Sequence, residues 1–232
     1  MKQLRIFAIV MAAIFMASCN KDDQATGIGD ALIISKLSGT NTVYGISLYA
    51  YSYSEFKSVS AVNNVLADHT YTLKANQGYK TNFYFETPDA EFTTTKPAAS
   101  TFTFSAIFEN GVTQDFKDIL SDKVLPIPTV EMCEYNDTDH QLEVKWALLT
   151  NAGSYNINIL DGSKVVFGSV EILNTEKTAS IKATGGGWIN NFTPESGKPY
   201  TVRLFANLFE PEGGGYDLQA ISYAERTVTW GN

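Results

Sequence analysis

Three carboxylates fall within eight residues of one another near the C-terminus: Glu210, Glu212 and Asp217. Between them stands Gly213-Gly214-Gly215-Tyr216. Two carboxylates about 5–9 Å apart can hydrolyse a glycosidic bond. Oxygen ligands gathered in a loop can hold Ca²⁺. An aromatic ring on a glycine-rich loop can stack on the apolar face of a sugar. The arrangement of three glycines and an aromatic recurs at Gly185-Gly186-Gly187-Trp188. A further acidic pair, Asp137 and Asp139, flanks Thr138. Neither acidic group has the twelve-residue spacing of an EF-hand. Acidic loops are ordinary on an acidic chain, so no metal is assigned to either.

The remaining reactive residue types lack the spacings that chemistry needs. The two histidines, His69 and His140, each follow an aspartate (Asp68, Asp139). Neighbours on a strand point to opposite faces, so an adjacent Asp-His cannot act as a relay. Both histidines read as solvated turn residues at strand entries. No His-Glu-x-x-His, paired-cysteine zinc spacing or Gly-x-Ser-x-Gly elbow occurs in the sequence. No catalytic residue and no cofactor is expected. Cys133, within Val130-Glu131-Met132-Cys133, reads as a buried, inert thiol.

The elements that must position these loops are strands. Aromatics make up 12% of the chain and charged residues only 18%, a balance that favours strands over helices. In the C-terminal half, Leu142, Val144, Trp146 and Leu148 alternate with more polar neighbours, as do Tyr155, Ile157 and Ile159. Asp161-Gly162 supplies a tight hairpin turn into Val165–Val170. Thr178–Ala183 is a short strand, and Tyr200, Val202, Leu204 and Ala206 form another inward face. In Leu218–Trp230 the apolar phase slips, from Ile221 and Tyr223 to Val228 and Trp230. A β-bulge between Ala224 and Arg226 would restore one inward aim.

In the N-terminal half, runs at 43–53, 71–75, 79–85 and 101–108 read as strands. Asn110-Gly111 then marks a hairpin into 112–116. Asp115–Leu120 is expected to close a short helical turn. Pro126 and Pro128 stiffen a join between the halves. The expectation is an all-β chain of two tandem Ig-like β-sandwiches, 31–126 and 127–232.

The C-terminal half resembles a fibronectin type III domain. The parallels are the proline-rich entry, Trp146, Tyr155-x-Ile-x-Ile159, and Phe192-Thr193-Pro194 followed by Tyr200-Thr201-Val202. The insertion Gly185–Asn190 departs from that pattern. The resemblance implies that the two glycine-rich loops leave opposite ends of the strand Tyr200–Phe209, which is roughly 30 Å long at about 3.3 Å per residue. Trp188 then reads first as a plug over the core and second as a ligand contact. Tyr216, beside Glu210, Glu212 and Asp217, is the better candidate for a contact loop, at the free pole of the molecule.

The N-terminus gives an address. Lys2 and Arg5 precede an apolar run from Ile6 to Ala17, which ends in Met16-Ala17-Ser18-Cys19. A charged start, a short apolar run and small residues form a secretory signal peptide, residues 1–18. The run is too short to cross a bilayer as a helix. Cys19 directly after the small residues resembles the lipobox of bacterial lipoproteins, with Met16 where leucine is commoner. The resemblance implies acylation of Cys19, with residues 19–30 as a flexible tether, and two or three acyl chains anchor stably. Asn20 is not the aspartate that holds such proteins at the inner membrane. Lys21-Asp22-Asp23 resembles the acidic export tag of surface lipoproteins and serves equally as a solvated tether.

Without residues 1–18 the chain keeps 15 basic against 25 acidic residues, a net charge of −10. Such a chain is repelled by phosphate backbones, so no nucleic-acid partner is expected. After Cys19 the only cysteine is Cys133, so the mature chain has no intrachain disulfide. The reading is a non-catalytic outer-membrane lipoprotein, anchored by lipid and exposed at the cell surface, that binds a glycan or protein ligand. The alternatives are a carboxylate-dependent polysaccharide hydrolase and a structural accessory subunit of an outer-membrane complex. The accessory reading needs an exposed apolar face, first sought at Phe205 and Phe209.

Overall fold

The computed structural model describes residues 25–66, 68–76, 78–211 and 217–231. The expected signal peptide, Cys19 and Lys21-Asp22-Asp23 lie outside the described residues, as do Glu212, the glycines 213–215 and Tyr216. Among the described residues there is no α-helix, and none of the elements is a helix able to cross a membrane.

Seven strands build the N-terminal half: β1 (Gly27–Ser38), β2 (Asn41–Ser52), β3 (Phe56–Asn63), β4 (Thr70–Asn76), β5 (Tyr79–Glu86), β6 (Ser100–Phe108) and β7 (Thr113–Leu120). They run in the order β1-β2-β5-β4-β3-β6-β7. β4 pairs with both β5 and β3 and so joins the two leaves of a sandwich. Alternate residues of β6, namely Phe102, Phe104, Ala106 and Phe108, point into the core and are almost fully buried.

The chain ends of this sandwich meet. β7 lies against β1, and its side chains close the gap in place of a ladder. Gly27 N–H donates to Gln114 Oε1 (2.8 Å) and Ala31 N–H to Asp118 Oδ2 (2.7 Å). Asp115–Leu120, expected as a helical turn, is therefore strand: β7 pairs with β6 from Thr113 to Leu120. Its period-two burial and its side-chain bonds to β1 both need extended backbone. The tether is also shorter than expected, since Gly27–Asp30 pairs with Tyr49–Ser52 of β2. Its glycines are not hinges. A Cβ on Gly27 would sit 2.5 Å from the Phe116 ring, and one on Gly29 2.6 Å from Phe104, so only glycine lets β1 approach these rings.

The C-terminal half has eight strands: β8 (Val130–Asn136), β9 (Gln141–Trp146), β10 (Ser154–Asp161), β11 (Lys164–Gly168), β12 (Ile172–Leu173), β13 (Thr178–Lys182), β14 (Lys198–Phe209) and β15 (Leu218–Trp230). One leaf is β13-β9-β8 and the other β11-β10-β14-β15. This three-plus-four sandwich is the arrangement implied by the fibronectin type III resemblance. Trp146, Tyr155, Ile157, Tyr200 and Leu204 are almost fully buried between the leaves. Two tyrosines tie loops to this core: Leu149 N–H donates to Tyr155 Oη (2.7 Å) and Glu195 N–H to Tyr200 Oη (2.9 Å). The second is the tyrosine-corner bond of such sandwiches.

The two sandwiches share a sheet. β1 pairs in parallel with β15 through Ile33↔Ala220, Ile34↔Ile221 and Ser35↔Ser222. This pairing explains the phase slip in β15. No bulge occurs between Ala224 and Arg226, where the β14–β15 register runs unbroken; the shift lies at Leu208/Phe209. Ala220, Ser222, Ala224, Val228 and Trp230 face one side throughout and are buried. Tyr223 and Ile221 face the other, where Leu32, Ile34, Tyr49, Phe92 and Phe205 form a small core of their own. The strand is apolar in both phases because its first half is covered on both faces. Between the halves, Val124 packs on the N-terminal core and Leu125 on the C-terminal one.

Candidate functional site

The parallel β1–β15 seam brings charged groups together at each end of β1. At the N-terminal end are Asp30 of β1, Asp118 of β7, and Glu210 and Asp217 from the base of the β14–β15 loop. Leu218 N–H donates to Asp30 Oδ2 (3.4 Å), and Glu210 N–H donates to the Asp217 carbonyl (2.9 Å). Burial, reinforced by the charges of Asp118, Asp217 and Glu210, pushes Asp30 up to about 7. Burial also raises Asp118 and Glu210, each with a further push from Asp217. Crowding and burial of this kind favour the neutral form of a carboxyl.

This places Glu210 and Asp217 against the N-terminal sandwich, at the junction of the halves and not at a free pole. The cause is β1, which extends past the start of β15 and carries Asp30 to the loop. Asp30 accepts a backbone N–H bond from Leu218 at the start of β15, and Asp118 one from Ala31 within β1. Among the described residues, no group of three or more acidic, histidine or cysteine side chains is arranged to hold a metal ion.

The other glycine-rich loop stands at the opposite end of β14. Trp188 Nε1–H donates to the Lys182 carbonyl (2.9 Å). Its ring lies 4.9 Å from Phe167, 5.8 Å from Phe192 and 5.4 Å from Trp230. Backbone at Gly187 has φ +99°, and a Cβ there would meet the Phe167 ring at 2.6 Å, so glycine is required to fold the indole inward. Trp188 packs as a plug over the end of the core, and its ring is occupied by protein neighbours. The structure does not bring Trp188 together with Glu210 and Asp217.

The remaining sequence candidates are structural. Asn136 Oδ1 accepts from Thr138 and Asp139 N–H, which shapes the Asp137–Asp139 turn. His69 and His140 are exposed. Cys133 is half-buried, and burial pushes its thiol up to about 11, which makes it unreactive at neutral pH. Phe205 packs in the seam core and Phe209 lies over Gly153, so neither forms the exposed apolar face that an accessory subunit would offer.

A cleft of about 750 Å³ opens at the other end of the seam. Lys36 of β1 pairs with Asp89. On neighbouring strands of the same sheet, Arg203 of β14 pairs with Glu225 of β15 at 2.7 Å, directly opposite it in the register. The cations also cover aromatic faces: Lys36 Nζ lies 4.0 Å from the Phe92 ring centre and the Arg203 guanidinium 4.5 Å from that of Tyr223. Asp89 is 90% exposed and Glu225 45%, so the anionic partners face the opening. The Lys36 bond holds Asp89 below its usual range. Lys36 lies more than 160 positions from Arg203 and Glu225 in sequence. Only the outward phase of Arg203 and Glu225 on a predicted hairpin could have pointed to them.

No family model matches this chain, and no curated protein matches it. Solved structures that resemble it include fibronectin(III)-like modules of CbhA from Clostridium thermocellum. These are 9% identical, with 89% of this chain and 94% of that chain covered, at a TM-score of 0.28. Another is the BSP domain of a biofilm-associated protein, 9% identical, with 91% and 53% covered and a TM-score of 0.27. A third is a Ca²⁺-stabilized adhesin with which an Antarctic bacterium binds ice, 10% identical, with 90% and 49% covered and a TM-score of 0.26. The chain spans about half the length of the last two. None of these likenesses assigns a site or a ligand to this chain.

Proposed function

We propose that this chain is a non-catalytic binding module of the cell envelope, anchored by lipid on Cys19 and displayed at the outer surface. Its ligand is a glycan or a protein segment bearing both donors and acceptors. The observation that carries the reading is the junction cleft with its two charge pairs, Lys36–Asp89 and Arg203–Glu225. Ligand sites favour interfaces between domains. Here the interface is fixed by backbone pairing between β1 and β15, so the cleft is formed before a ligand arrives. Little ordering is then left for binding to impose. Arginine and lysine donors with exposed carboxylate acceptors suit sugar hydroxyls or a zwitterionic peptide surface.

The test is a glycan-array and pull-down screen with the chain from residue 20. Capture that is lost in the Arg203→Ala, Glu225→Ala double variant supports the cleft. Capture that survives it and is lost in Tyr216→Ala moves the site to the β14–β15 loop. Cys19→Ser should abolish incorporation of labelled palmitate in cells; an unmodified thiol at Cys19 in the parent chain refutes the anchor.

A hydrolase is the second reading, favoured by one observation: Asp30 holds a proton near neutral pH beside other carboxylates. A general acid needs that property. Turnover of a polysaccharide that disappears in Asp30→Asn would promote this reading over the first.

A further inference from the structure

β1 is held along both edges. Its antiparallel ladder with β2 runs through every residue pair from Gly27↔Ser52 to Ser38↔Asn41. On the other edge, Gln114 and Asp118 of β7 accept from Gly27 and Ala31 N–H, and the parallel ladder to β15 follows at Ile33, Ile34 and Ser35. β15 is in turn paired with β14 from Lys198↔Trp230 to Phe209↔Leu218. The seam is also covered on its faces. Leu32, Ile33, Ser35, Ala220 and Ser222 are fully buried. Ile34 and Ile221 lie in the small core with Tyr49, Phe92 and Phe205. Ladder bonds shielded in this way are stronger than bonds open to water. Ser222 Oγ donates to the Pro126 carbonyl (2.8 Å), which ties the chain between the halves to the same point.

The direction of this pairing decides how it responds to tension. Because β1 and β15 are parallel, the chain comes into the seam at one end and goes out at the other. Gly27 lies six residues before Ile33, and Trp230 eight residues after Ser222. At about 3.3 Å per residue these arms are roughly 20 Å and 26 Å long, and they point in opposite directions. A pull between the segment before β1 and the end of β15 therefore drags the two strands past each other along their axes. The evenly spaced bonds of a parallel ladder then take the load together. A pull on the same end of both strands opens the bonds one after another.

We propose that the β1–β15 seam is a mechanical clamp, which carries tension in shear between the segment before β1 and the C-terminal sandwich. The junction cleft lies past the downstream end of the seam: Lys36 directly follows Ser35, and Glu225 comes three residues after Ser222. The expected anchor, Cys19, precedes β1. A ligand gripped by Arg203 and Glu225, on a chain tethered before β1, loads the ladder along its strands. That source of load rests on the function proposed above. The resistance itself is set by strand direction and does not depend on it.

The experiment is single-molecule force spectroscopy on the chain from residue 20, with Cys133→Ala so that handles attach only at introduced cysteines. One pair, Gln24→Cys and Asn232→Cys, pulls the seam in shear. The other, Thr40→Cys and Asn232→Cys, pulls both strands from the same end, since Thr40 follows β1 as Asn232 follows β15. Thr40 is an exposed turn residue. The expected result is a first rupture force about two- to threefold higher for the first pair, because three residue pairs load together instead of singly. In the first geometry Ile221→Ala, which strips cover from the ladder, should lower that force. Thermal melts of the handle variants, expected to match the parent, separate pulling direction from lost folding. Loss of ligand capture or of lipid on Cys19 would remove the source of load and leave both forces as they are, so the two readings fail separately. Equal forces in the two geometries overturn the proposal, as does a shear force that Ile221→Ala leaves unchanged.

Discussion

Replacing Asp30 by asparagine should make this protein more stable at neutral pH, and the gain should fade on acidification. In the folded state Asp30 holds its proton until about pH 7, whereas the ordinary carboxyl value is 3.8. Between those values the native state binds a proton that the unfolded chain has released. Unfolding free energy from this group therefore falls as pH rises, and above about pH 7 the whole cost is present. Each unit of separation is worth about 1.4 kcal/mol. The cost is then about 4 kcal/mol at pH 8 and under about 2 kcal/mol at pH 5. Asparagine removes the charge and keeps an oxygen to accept from Leu218 N–H. It also relieves Asp118, Glu210 and Asp217 of a like charge. The assay is urea denaturation of parent and Asp30→Asn at pH 5, 6, 7 and 8, followed by tryptophan fluorescence, since Trp146 is fully buried. Equal stability at pH 8 would refute the reasoning, as would an advantage for the variant that does not shrink at pH 5.

Two further outcomes test how the loops and the seam are packed. Gly29→Ala forces a Cβ against Phe104 at 2.6 Å and should cost about 1–3 kcal/mol in a denaturant melt. Gly186→Ala, with open space around its Cβ position and an ordinary φ, is the control and should cost far less. Trp188→Ala removes ring contacts with Phe167, Phe192 and Trp230 and should lower stability by about 2–3 kcal/mol without changing ligand capture. Lost capture at unchanged stability would make Trp188 a ligand residue instead of a plug.

Most strands were legible because half-buried strands alternate. Phe102 to Phe108 and Tyr155 to Ile159 carry their burial in plain period two, and both hairpin turns predicted from Asp161-Gly162 and Asn110-Gly111 place their glycine at positive φ. The misreadings have separate causes. Gly27–Asp30 passed for tether because two of the four residues are glycines and Ile28 is exposed, so no apolar alternation marks the start of β1. The first half of β15 is covered on both faces and so lacks alternation, and it passed for a bulged strand. Asp115–Leu120 misled because its polarity does not follow its burial: Asp118 points inward to accept from Ala31 N–H, and Ile119 is exposed.

The order of residues by itself determined that the chain is built from strands and where many of its turns lie, since each of these depends on near neighbours. Only the tertiary structure decided where the chemistry sits. Asp30 meets Glu210 and Asp217, and Lys36 shares a cleft with Arg203 and Glu225, because one parallel pairing joins the first strand to the last. That pairing is a contact between residues nearly 190 positions apart, and no local pattern of polarity encodes which distant edge a strand will choose.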